Sequence, residues 1–121
     1  MNHLDEREEQ EEPKNQTPWG IPDYVEWIAG GIVEVECPRH GGIIITEERF
    51  DEMPYPFRNF QPTFDRLHWE EDSDIWVLIA AFSEEFPSDR VAEACGLIRR
   101  FAKDDEDFRE LLQFLPDATE E

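Results

Sequence analysis

Bulky and polar positions alternate along two short runs, Tyr24 to Ile28 and Ile32 to Glu36, the period of a half-covered strand. Gly30-Gly31 between them supplies the positive φ of a tight hairpin turn, which predicts that the two runs pair. In the second run Ile32, Glu34 and Glu36 point one way and Val33 and Val35 the other, so one face of the hairpin is expected to be wet. His40-Gly41-Gly42 reads as a turn whose glycines take backbone angles closed to other residues. Ile43-Ile44-Ile45 then reads as a third strand, buried on both faces or nearly so.

Helical periods take over further along. Thr46 can cap a short helix, Glu47 to Met53, whose opening acids complement the helix dipole and which Pro54 stops. From Tyr55 to Phe64 the density of prolines and aromatics suggests an ordered, irregular connection. Residues 75–82, IWVLIAAF, are apolar throughout, so periodicity cannot separate a buried strand from a buried helix. Ala80-Ala81 and the acids ahead of the run favour helix. Pro87-Ser88-Asp89 starts a clearer helix to about Ala102, with Val91, Cys95, Ile98 and Ala102 on one stripe. Asp104 can cap a last helix, in which Phe108, Leu111, Leu112 and Leu115 keep the 3.6 period until Pro116. Strands first and helices after predict an α+β fold: a small antiparallel sheet in the N-terminal half, with helices of the C-terminal half on one face.

Composition sets the limits of that domain. Residues 1–16 hold too little apolar surface to offset the entropy of ordering and are expected to be a disordered acidic tail, leaving 17–121 as one domain. Thirty-one acids against eleven bases give a formal charge of -20, of which the tail carries only four. A field of that sign repels phosphates, which argues against direct nucleic-acid or anionic-membrane binding and favours a protein partner with a basic surface. Without a signal-peptide pattern or a membrane-length apolar run, the chain is expected to be cytoplasmic. Cys37 and Cys95 are expected to be reduced and independent.

Candidate chemistry gathers in two places. In CPRHGG, Cys37 and His40 have half the spacing of a structural zinc site, but the remaining Cys and His donors are only Cys95, His68 and His3. Cys37 could also be a thiol nucleophile, although a small strand hydrophobe is the commoner role. In HWEEDSDIW, four like charges at Glu70, Glu71, Asp72 and Asp74 should raise a carboxyl pKa or recruit a cation, unless they serve the start of a helix near Ser73. His40 with Glu70, Glu71 and Asp72 has the groups for general acid/base work. His40, His68 and Asp72 have ligand types suited to a divalent metal that activates water. No phosphate loop, nucleophile elbow or dinucleotide fingerprint is present. Asp104, Asp105, Glu106, Asp107 and Glu110 form a third acid-rich stretch, a candidate partner-binding track that could imitate phosphates. Plain solubility is the simpler use of such charge.

Thr17-Pro18-Trp19-Gly20, Gly31-Ile32, His40-Gly41-Gly42-Ile43, Met53-Pro54, Trp69-Glu70-Glu71-Asp72 with Asp74, and Leu115-Pro116-Asp117 together resemble the domain of unknown function numbered 7007, a family of phages, plasmids and bacterial genomes. The family pattern has a Cys where Ser73 stands and a Trp directly after the second Asp, where Ile75 intervenes here. The resemblance implies a mobile-element context and a shared site around His40 and Glu70 to Asp72, and it implies no reaction. The expectation is a small acidic protein that binds a macromolecule, a phage- or plasmid-type factor that modulates or counteracts host machinery. The alternative is a metal-assisted or acid/base hydrolytic enzyme using His40 with Glu70, Glu71 and Asp72.

Overall fold

Four strands follow one another as an antiparallel meander in chain order: β1 (Tyr24–Ala29), β2 (Ile32–Glu36), β3 (Gly41–Ile45) and β4 (His68–Glu70). The helices are α1 (Glu47–Glu52), α2 (Asp74–Ala81), α3 (Ser88–Phe101) and α4 (Glu106–Arg109), with short 3-10 turns between them. This α+β arrangement is seen in a computed structural model that describes residues 17–116; the expected disordered tail, 1–16, lies outside the described residues. Among the described residues no helix is long and apolar enough to cross a membrane.

The first hairpin turns at Gly30-Gly31, where Gly31 has φ +80°, and β1 carries an irregularity between Trp27 and Ala29. Register then sorts the faces. Ile32 pairs with Ile45, Glu34 with Ile43, and Ile43 with Trp69. Ile32, Ile43, Ile45 and Trp69 are buried in one core with Val77, Leu78 and Ile79 of α2 and Val91, Ala94, Cys95 and Ile98 of α3. The face bearing the β2 glutamates is therefore the one the helices cover. Glu34 is accommodated there because Arg90 of α3 donates from both terminal nitrogens to its two carboxylate oxygens, at 2.9 and 2.6 Å. Val33 and Val35, on the other face, are buried as well, so the expected wet face is corrected: along β2 only Glu36 is exposed.

A second correction concerns Gly41 and Gly42. They belong to β3, and the glycines at positive φ among the described residues are Gly20 and Gly31. Space is what the pair supplies. A Cβ on Gly41 would fall 2.4 Å from the Val35 carbonyl oxygen, and one on Gly42 would fall 2.3 Å from that of Trp69 and 2.6 Å from the Trp19 ring. The turn itself is Cys37 to His40, closed by the Cys37 amide donating to the His40 carbonyl at 2.8 Å.

The Thr46 hydroxyl caps α1 by accepting from the Arg49 amide at 3.1 Å. Residues 74–81 are helical, and the α3 stripe of Val91, Cys95, Ile98 and Ala102 is buried as expected. The last helix differs. Its cap is Asp105 rather than Asp104, it ends at Arg109, and the chain then tightens to 3-10 bonds, Leu111 to Phe108 at 3.0 Å and Phe114 to Leu111 at 2.9 Å. That tightening breaks the 3.6 period, so Phe108 and Leu111 stay buried while Leu112 turns to solvent. Cys37 and Cys95 are both free.

Candidate functional site

The pairing of β3 with β4 decides which loops meet. Gly42 lies opposite Glu70, and the Glu71 amide extends the ladder by donating to the Gly41 carbonyl at 3.0 Å. His40, just before β3, and Glu71 and Asp72, just after β4, therefore emerge side by side from one end of the sheet. His40 Nδ1 stands 3.9 Å from Glu70 Oε2 and 3.9 Å from Glu71 Oε2. These are ion-pair separations, too long for hydrogen bonds. The His40 side chain is 54% exposed, against 14% for Glu70, so the imidazole reaches in from solvent while Glu70 is built into the wall.

The four acids around Ser73 divide by role. Asp74 is the one buried charged residue among those described, and its hydrogen bonds serve the scaffold. Its Oδ2 accepts from the Thr63 amide at 2.7 Å and the Glu70 amide at 3.3 Å, while Ser73 Oγ donates to its Oδ1 at 3.1 Å. It thus ties the 60s loop to the end of β4 and the start of α2. Burial holds the Glu70 carboxyl above the usual glutamate range; the Asp72 amide, donating to Glu70 Oε1 at 3.2 Å, opposes this, and the charges of Asp72, Asp74 and Glu71 add to it. Glu71 and Asp72 reach solvent at the rim, and with His40 they offer one donor atom each within 4.8 Å of one another.

His68 is not part of that group. Its Nδ1 lies 2.8 Å from Asp65 Oδ1, and the same oxygen accepts from the amides of Leu67 and His68 at 2.9 and 3.1 Å. Burial alone would raise the Asp65 carboxyl, but the hydrogen bonds from the His68 ring and the Leu67 amide outweigh it and leave the pKa lowered. Cys37 turns away as well: its Sγ donates to the Gly20 carbonyl at 3.6 Å and lies 3.7 Å from Thr17 Oγ1. Asp104, Asp105, Glu106, Asp107 and Glu110 are exposed around α4, where the Asp105 carboxylate accepts from the Asp107 amide at 2.9 Å.

His40, Arg39 and Glu70 also line an open cleft of about 740 Å³, together with Trp19, Ile21 and Phe64. Trp19 packs against Gly42 and meets Phe64 edge to face, with ring centroids 5.9 Å apart. Nothing in the sequence marks Phe64 as part of this wall, or Asp74 as buried; a proline-broken aromatic run names no partner for any one ring. Asp65 and His68 at a three-residue spacing are the one pairing that a reading of the 60s loop could have found.

Fold and site together define a small α+β domain with an aromatic-walled cleft and an imidazole–carboxylate group at its mouth. The chain belongs to the family described as domain of unknown function (DUF7007), whose model matches residues 12–113. No curated protein and no solved structure matches it.

Proposed function

We propose that the protein works by binding a basic segment of another protein, seating an arginine or lysine side chain in the cleft beside Trp19, Phe64 and Glu70. The observation that carries this reading is the pairing of aromatic walls with carboxylates at one mouth, on a chain of formal charge -20. Ring faces and apolar walls suit the stem and charge of a long cationic side chain, and a carboxylate at the end of the slot completes its recognition. Arg39 also lines the cleft, so an incoming cation has to seat on the Glu70 side of it, while three arginines elsewhere already have acidic partners. Arg49 pairs with Glu52 and Glu85, Arg66 with Glu47, and Arg90 with Glu34.

In this reading the two acid-rich regions do different work. The acids from Asp104 to Glu110 are exposed and border only a recess of about 20 Å³ at Asp107 and Glu110, so they raise the encounter rate with a basic partner through their field. Glu70 and its neighbours hold the partner once docked. A factor that covers a basic, nucleic-acid-binding surface would modulate host machinery by this means. The test is binding kinetics with an arginine-rich peptide on an immobilised full chain. Neutralising Asp104, Asp105, Asp107 and Glu110 to Asn or Gln should slow association and flatten its salt dependence, whereas Glu70→Gln with Phe64→Ala should speed dissociation. Equal dissociation rates with and without the cleft substitutions would end the reading, and so would tighter binding to duplex DNA or anionic vesicles than to the peptide.

A second reading, acid/base chemistry, is favoured by the 3.9 Å approach of His40 to two carboxylates, which a shift of about 1 Å turns into a hydrogen-bonded pair. Hydrolysis of activated esters or phosphodiesters that falls with His40→Ala supports it; rates unchanged by that substitution dismiss it.

A further inference from the structure

The imidazole distinguishes the cleft mouth from the other acid-rich surfaces. One nitrogen of His40, one oxygen of Glu71 and one of Asp72 lie within 4.8 Å of one another. The three donors come from two separate segments, and the backbone that carries them is fastened by the ladder bond from the Glu71 amide to the Gly41 carbonyl. Their convergence is therefore set by the sheet rather than by the chance meeting of long side chains. Tetrahedral zinc with bonds of about 2.0–2.2 Å places its donors about 3.4 Å apart. The His40–Glu71 separation of 3.9 Å exceeds that by an amount that rotation of two exposed side chains can close.

We propose that His40, Glu71 and Asp72 form a binding site for a divalent transition-metal ion, with zinc the preferred probe. A nitrogen donor beside two carboxylates favours zinc over magnesium, which prefers an all-oxygen octahedron and gives up its waters reluctantly. Glu70 stands close behind the three. Its Oε2 is also 3.9 Å from His40 Nδ1, and its Oε1 accepts from the Asp72 amide, so the residue that walls the cleft also orients the loop that carries a ligand. The stretch Asp104 to Glu110 provides an internal comparison, since its carboxylates are interspersed with Phe108 and Arg109 and have no imidazole among them. His68, held by Asp65, provides another. The site shares the cleft mouth with the proposed basic partner, since His40 lines the cleft and Glu71 and Asp72 adjoin Glu70, but it makes no use of Trp19 or Phe64, so zinc titration without peptide tests it separately.

The experiment is calorimetric titration of zinc chloride into the chelator-treated full chain, carrying His3→Ala so that the N-terminal imidazole adds no background. One saturable site is expected, at least tenfold weaker in His40→Ala and in Asp72→Asn and unchanged in His68→Ala and in Asp104→Asn/Asp107→Asn. Magnesium is expected to bind at least a hundredfold more weakly than zinc. The three rim side chains lie at or near the surface, and amide NMR spectra of the variants should retain the dispersion of the parent. Cobalt(II) substitution gives a separate readout, as its visible absorption bands should change with His40→Ala. Absence of a saturable site, equal affinity in His40→Ala, or loss of binding in His68→Ala would overturn the assignment.

Discussion

Two acid-rich runs of similar composition, Glu70 to Asp74 and Asp104 to Glu110, end up in opposite circumstances. The first follows a strand, faces the start of another strand across a ladder bond, and buries one of its members. The second wraps a one-turn helix and keeps Asp104, Asp105, Glu106, Asp107 and Glu110 in water, burying only Phe108 beneath them. What separates them is the backbone opposite. A run of carboxylates becomes a site only where a second segment brings in donors, walls or an imidazole, and composition alone does not report that.

The largest effect should come from breaking the backbone approach that makes the first run different. Gly42→Ala drives a Cβ into the Trp69 carbonyl and the Trp19 ring, and a cost of about 3 kcal/mol is expected in urea unfolding, with loss of cross-strand nuclear Overhauser contacts between β3 and β4. Asp74→Ala comes next: it leaves the Thr63 and Glu70 amides without their buried acceptor, at about 2 kcal/mol. In the second run Asp105→Ala removes only a helix cap, at about 1 kcal/mol or less, and the other acids there change stability by under about 0.5 kcal/mol. Should Asp107→Ala destabilise as much as Asp74→Ala, the contrast between the runs fails.

The smallest effect is a pH dependence. Because the folded state raises the Glu70 pKa, protonation favours the fold: the stabilising proton is fully present below the unfolded value and is lost as pH rises through the folded one. Glu70→Gln imitates the protonated form, so its melting temperature should exceed the parent's at pH 7 and match it below the ordinary glutamate pKa. A difference that is independent of pH would show that burial of the charge is not what perturbs this group.

Most of the scaffold was legible because its elements are long enough to show a period: the β1–β2 hairpin, the capped α1 and the stripe of α3 all lie where alternation and capping residues put them. The site was legible only as residue types. The strand that assembles it, β4, is three residues long and sits between charged loops, too short to show alternation, so the sequence could name His40 and Glu70 to Asp72 but not their meeting. Gly41 and Gly42 were recognisable as a special pair for the wrong reason: they make room for a neighbouring strand and an indole ring, and space, unlike backbone angle, depends on partners distant in the chain. Alternation alone assigns the faces of β2 wrongly, because a glutamate can sit on a covered face once an arginine from α3 arrives to meet it. Asp74 shows the same principle in reverse, an acid drawn inside by two backbone amides and a hydroxyl.

The most direct test of the cleft as the working site is an amide NMR titration of the full chain with a short arginine-rich peptide at physiological salt. Shifts concentrated at Trp19, Gly41, Gly42, Phe64 and Glu70 to Asp72, and abolished by Glu70→Gln with Phe64→Ala, are the predicted result. Shifts confined to Asp104 to Glu110, or spread evenly over every exposed carboxylate, would contradict it.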